Sequence, residues 1–145
     1  MREGWYQDDY LILFDESEVA SVSERYTISK MLPGYQVLGL LGWDDFIVRD
    51  TEGRTYTVPT VPAQPQHLSP FSIPEKPSLS SDPRFLAKVK WYLMPVVFGG
   101  DANVGKNVVW VDHDQHAQLV RWWNENYRSL KTGSMTDKTG RSEPA

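Results

Sequence analysis

Hydrophobic and polar positions along this chain mark out strands first and helices later. "YLILF" (Tyr10 to Phe14) is a short continuous apolar run, read as a buried strand. Asp15 follows as a helix N-cap, with Glu18 three residues on to complete a capping box. A short helix to about Tyr26 is expected, and Pro33-Gly34 breaks the chain after it.

"QVLGLL" (Gln36 to Leu41), "FIVRD" (Phe46 to Asp50) and "RTYTVP" (Arg54 to Pro59) are three strand-like runs. Their separators, Gly42-Trp43-Asp44-Asp45 and Thr51-Glu52-Gly53, are turn-length and carry Gly with Asp or Thr, so an antiparallel meander is expected.

From Pro59 to Pro83 the chain carries seven of its ten prolines. Proline fixes φ and removes a donor, so this stretch predicts a long extended excursion, with Phe71 and Ile73 pinning it to the surface. Beyond it, Asp82 as cap and Pro83 in the first turn open a predicted helix. Its apolar stripe is Phe85, Leu86, Val89, Tyr92 and Leu93, and Pro95 ends it. "PVVF" and "NVVWV" read as β-branched strands. A last helix starts after Asp112, with Gln115 closing a second capping box. Leu119, Val120, Trp123, Tyr127 and Leu130 form its buried face, and Gly133 ends it. The tail 132–145 has almost no apolar content and is expected to be disordered.

The pattern predicts one α+β domain over 1–131: an antiparallel meander sheet covered by helices, with the excursion at 59–83. The 145-residue length, 40% hydrophobic and 23% charged, suits a single core. Cysteine is absent, which removes disulfides and thiol chemistry and fits a reducing compartment. No apolar run reaches membrane-spanning length, and "MREGWYQDDY" has no apolar leader, so a cytoplasmic protein with no membrane partner is expected. Charge is uneven. Residues 1–60 hold 11 Asp/Glu against 5 Lys/Arg, a net of −6, while residues 61–145 hold 8 against 10, a net of +2. An acidic first half argues against nucleic acid there and permits a basic protein partner, although on charge alone a solvated surface is the preferred reading.

"FGGDANVGKNVVWV" (Phe98 to Val111) comes within one residue of a phosphate-cradling loop, with Gly100, four residues, then Gly105-Lys106. Asn107 stands where the magnesium-binding hydroxyl belongs, and a strand follows where a helix should start. A turn between strands is the better reading. His113 and His116, three apart with Asp112 and Asp114 beside them, could share a metal. Further ligands would be needed, and the only other histidine is His67. The carboxylate pairs Asp8/Asp9, Asp44/Asp45 and Asp50/Glu52 read as solvated turn charges rather than acid–base machinery. No nucleophile–base constellation is visible, so no enzyme activity and no cofactor are expected. Trp122-Trp123 reads as rim and core of one helix. Trp43 with Asp44 and Asp45, joined by Asp50 and Glu52, is the candidate partner-binding turn. An exposed Trp there would anchor an interface, and the alternative is a Trp covering the edge of the core.

Roughly residues 5–62 resemble the SUKH superfamily, the Smi/Knr-like proteins of bacteria. The likeness lies in the apolar strand running into an acidic helix (Phe14 to Val19), the L-P-G-Y element (Leu32 to Tyr35), the "f-x-x-D" strand (Phe46 to Asp50) and the strand ending Val58-Pro59. The resemblance implies an α+β fold without catalysis, and commonly an immunity protein that blocks a bacterial toxin, often a basic nuclease. Members usually begin with helices before the first strand. Here the two expected C-terminal helices would cover the sheet instead. A structural or assembly protein of a phage or secretion system is the alternative, and a metal- or nucleotide-dependent enzyme the alternative of another class.

Overall fold

The computed structural model describes residues 1–74, 79–92 and 108–136. The Gly100–Asn107 loop, the "PVVF" strand and the tail beyond 136 lie outside the described residues.

β1 (Arg2–Tyr6) and β2 (Asp9–Leu13) form a hairpin in which Trp5 faces Tyr10 and Arg2 faces Leu13. The apolar run thus forms the expected strand. α1 (Glu16–Arg25) follows as the capping residues predict: the Asp15 N–H donates to Glu18 Oε1 at 2.8 Å. α1 places Val19, Val22 and Ser23 inward, and the Ser23 hydroxyl accepts from the Val37 N–H at 2.8 Å. A second short helix, α2 (Ile28–Met31), precedes the meander β3 (Gln36–Leu41), β4 (Asp45–Arg49) and β5 (Thr55–Pro59).

The sheet is α+β in its setting and antiparallel throughout, with six strands in sequence order. One face carries Tyr10, Ile12, Leu40, Phe46, Val48 and Val58 into the larger core. The other carries Leu11, Leu13, Leu38 and Ile47 into a smaller one. The two-residue strand β6 (Ser69–Pro70) closes the far edge against Tyr56 and Thr57. Just beyond it Phe71 and Ile73 pack on the smaller core, as expected. The described part of 59–83 is therefore not one free excursion. It holds a 3-10 turn at Pro65–His67, an edge strand, and Ser80 paired with Trp5.

The helix expected between Asp82 and Pro95 does not form over its described part, residues 83–92. Asp82 does cap, but it caps a turn: its Oδ1 accepts from the Arg84 N–H at 3.0 Å. The turn ends at Ala87, whose φ is +61°. A left-handed alanine costs roughly 1–2 kcal/mol, and a strong bond offsets it, because the Ala87 N–H donates at 2.7 Å to the carboxylate of the buried Glu3. The chain leaves as β7 (Val89–Tyr92), paired antiparallel with β8 (Val108–Val111). Val89 and Trp91 alternate inward at 0% and 6% exposure, the period of a strand.

α3 (His113–Thr136) runs past the expected stop at Gly133. Its start is as expected, with Asp112 Oδ1 accepting from the Gln115 N–H at 2.7 Å and Gln115 Oε1 accepting from the Asp112 N–H at 3.1 Å. The fully buried part of its face differs from expectation. His116, Ala117, Val120 and Asn124 fill it, while Leu119 and Trp123 are only partly buried.

Asn124 clamps α3 to the segment after β5. Its Oδ1 accepts from the Ala63 N–H at 2.9 Å, and its Nδ2 donates to the Thr60 carbonyl at 2.7 Å and to the Val120 carbonyl at 2.9 Å. Asn124→Ala would orphan two buried backbone groups, each worth about 1–3 kcal/mol. Urea unfolding should show a loss on the order of 3 kcal/mol. A variant melting with the wild type would mean that water replaces the amide.

Candidate functional site

Trp43 does not stand out from its turn. Gly42 and Trp43 both adopt left-handed backbone, at φ +60° and +64°, and this folds the indole back onto the sheet. Trp43 is 8% exposed. It stacks on Tyr10 at 4.7 Å and meets the edges of Trp5, Phe85 and Trp110 between 5.1 and 6.1 Å. The expectation of an exposed anchor is therefore corrected: this Trp covers the core. The apolar area it buries outweighs the hydration that an exposed turn would give.

Its neighbours are partly engaged. Asp44 accepts from Lys90 Nζ at 3.1 Å. Asp45 is half-buried; desolvation, and then the charge of Asp44, raise its pKa. At the next turn Asp50 accepts from the N–H groups of Glu52 and Arg54 and from Arg54 Nε, all at 2.9 Å. Desolvation alone would raise its pKa, but these bonds outweigh it and hold the carboxyl below its usual range. Glu52 pairs with Arg54 at 2.6 Å. The two turns also lie at opposite ends of β4, about 16 Å apart at 3.3 Å per residue. Trp43, Asp44 and Asp45 are thus not brought together with Asp50 and Glu52 into one patch. Asp8 and Asp9 lie exposed at the β1–β2 turn.

His116 has no exposure at all. Its Nδ1 lies 2.6 Å from the Tyr26 hydroxyl, and the Trp91 ring meets it edge-on at 5.3 Å. Desolvation, reinforced by neighbouring His113, pushes its pKa down to about 3, so it is neutral near pH 7. His113 is partly buried against the edge of Phe14, and desolvation again leads in lowering its pKa. Its ring nitrogens, like His116 Nε2, are buried without a hydrogen-bond partner. His67 lies exposed on its 3-10 turn. Among the described residues no group of three His, Cys, Asp or Glu side chains is placed to hold a metal ion.

The feature that sequence reasoning did not assemble is a groove on the flank of α3. Val111, Gln115, Gln118, Leu119 and Trp122 line a hollow of about 370 Å³. Residues 115, 118, 119 and 122 share one helix face through their three- and four-residue spacing. Trp122 is 54% exposed, the highest among the large hydrophobics exposed in the described residues, and its ring abuts Trp123 at 4.8 Å. The signal lay in the paired tryptophans: Trp123 turns toward the core, which leaves Trp122 toward solvent. No described helix is long and apolar enough to cross a membrane. No family model matches this chain, and neither does any curated protein or solved structure.

Proposed function

We propose that this chain is a non-catalytic protein-binding module. The observation that carries the reading is Trp122, a large aromatic held more than half exposed on α3 above an apolar hollow flanked by two neutral amides. Tryptophan in such a setting is the residue most often found to dominate a protein interface. The polar groups described above support the same reading. Asp44, Asp50 and Glu52 each have a cationic partner within the chain, and His116 is held neutral in the core.

The partner we favour is a bacterial toxin that the chain blocks in the cytoplasm. That choice rests on the resemblance of residues 5–62 to immunity proteins and on the acidic surplus of residues 1–60, which suits a basic partner such as a nuclease. The acidic surplus of residues 1–60, to which Asp44 and Asp45 contribute, would then steer the encounter, and Trp122 would hold the complex.

If an adjacent gene encodes a toxic product, co-expression of this chain with it should restore growth, and the two purified proteins should form a complex. Trp122→Ser should weaken it by about 2 kcal/mol or more, roughly thirtyfold in Kd, chiefly through faster dissociation. Asp44→Asn with Asp45→Asn should slow association and flatten its salt dependence. Absence of both protection and complex formation would sink the toxin reading. A complex insensitive to Trp122 would move the contact surface away from α3.

A further inference from the structure

The seam where α3 meets α1 and β7 is built around groups that have no place for a proton. His116 lies at its centre with zero exposure. From the C-cap of α1 the Tyr26 hydroxyl is its single hydrogen-bond partner, at 2.6 Å. Tyr26 is itself 2% exposed, and burial raises its pKa above the ordinary tyrosine value. From β7 the face is Trp91, which carries no charge. From α3 itself the neighbour is His113, another base.

The charged groups around His113 do not repair this. Arg25 of α1 has the same sign as an imidazolium and is already paired with Asp114 at 3.3 Å. Glu3 of β1 acts on His113 through space; one of its oxygens accepts from the Ala87 N–H and the other is buried without a hydrogen-bond partner, yet it bonds to neither ring and does not act on His116. Asp112 holds the cap of α3 through the Gln115 N–H, and Asp114 is largely exposed. None of these carboxylates bonds to either ring, and none acts on His116. An imidazolium at the seam would therefore be buried without a counter-ion, which costs far more than the single hydrogen bond to Tyr26 returns.

We propose that this seam is an acid-releasable latch: protonation of His116, assisted by His113, expels the N-terminal half of α3 and uncovers the stripe of Ala117, Val120 and Trp123. The β3–β4–β5 meander stays folded in that event, because it keeps its own ladders and the smaller core of Leu11, Leu13, Leu38 and Ile47 on its other face. The sign follows from the neutral docked state. A released histidine takes up a proton near its ordinary value of 6.5, while docked His116 resists until about pH 3. Docking is at full strength above pH 6.5 and weakens as the pH falls toward 3. With one proton taken up on release, the docking equilibrium shifts up to tenfold per pH unit inside that window.

The test follows tryptophan fluorescence and amide exchange of the full chain from pH 7 to pH 3. Amides of residues 116–124 should lose protection in a transition that leaves β3–β5 protected. His116→Gln keeps a hydrogen-bonding partner for Tyr26 without the base, and should move the midpoint down by roughly one pH unit or more. Simultaneous loss of protection in α3 and in the meander would overturn the latch in favour of global acid unfolding, as would an unchanged midpoint in His116→Gln. Should that variant fail to fold at pH 7, ring-nitrogen NMR of the wild type decides. His116 staying neutral in the folded chain at pH 5 supports the latch. Titration of the docked ring near its ordinary value overturns it.

Discussion

Trp43→Ala should lower the stability of the chain by about 3–5 kcal/mol, the range for truncating a core aromatic. The indole is the hub of a cluster that joins Tyr10 on β2, Trp5 on β1, Phe85 on the turn after Asp82, and Trp110 on β8. Lys90 Nζ also lies 5.8 Å from the ring centre. Removing the hub loosens contacts between the six-stranded sheet and the β7–β8 pair at once. The backbone supplies a control. With φ at +64°, Trp43 occupies a conformation that any L residue adopts at a cost and glycine does not. Trp43→Gly loses the same packing but regains about 1 kcal/mol or more of backbone strain. Glycine at 43 should therefore be the more stable of the two variants in guanidinium melts. The reverse order would mean that the left-handed turn is not what holds the indole inward.

Gly39→Ala should cost on the order of 4 kcal/mol or more, in the range reserved for severe structural conflict. Gly39 lies in a central strand, facing Leu13 on one side and Ile47 on the other, where the register shifts between Val37 and Gly39. A methyl group there would lie 2.1 Å from the Ile12 carbonyl oxygen, 3.2 Å from its carbon and 3.3 Å from the Leu13 Cα. All three atoms are backbone, so no side chain can swing aside. Relief requires β2 and β3 to separate, and both cores span that pair. An unfolding free energy from urea titration within about 1 kcal/mol of the wild type would show that the strands part more easily than their ladder implies.

Much of the fold was legible because its signals are local. The Asp15–Glu18 and Asp112–Gln115 pairs announce α1 and α3 through hydrogen bonds that close within one turn. The meander from Gln36 to Pro59 combines apolar strands with turn residues at the right spacing. Where tertiary contacts decide, the sequence misled. Phe85, Val89, Tyr92 and Leu93 do repeat at helical spacing, yet Glu3 captures the Ala87 N–H from 84 positions away and β8 recruits Val89 to Tyr92 as a strand. β1 was unreadable because "REGWY" has no alternation, and its partners lie across a hairpin and at Ser80. At the site, polarity concealed burial. His116 and Asn124 fall on the stripe of Ala117 and Val120, but a polar residue in an apolar stripe counts as an interruption unless its partner is known. Those partners, Tyr26 and the backbone of Thr60 and Ala63, are at least 61 residues distant. Trp43 erred the other way, since only its left-handed backbone decides between solvent and core.

The ends of the six-stranded sheet bear on how the chain behaves when concentrated. An open antiparallel sheet leaves a row of unpaired amides and carbonyls at each border, a template on which a second sheet can grow. At one border, Trp5 exchanges both of its backbone hydrogen bonds with Ser80, at 2.8 and 3.1 Å. At the other, the last strand is two residues long and one of them is Pro70, which has no N–H to offer. Both borders of this sheet are blunted, and the expected consequence is resistance to edge-to-edge growth of the six-stranded sheet, written into the two least regular of its strands.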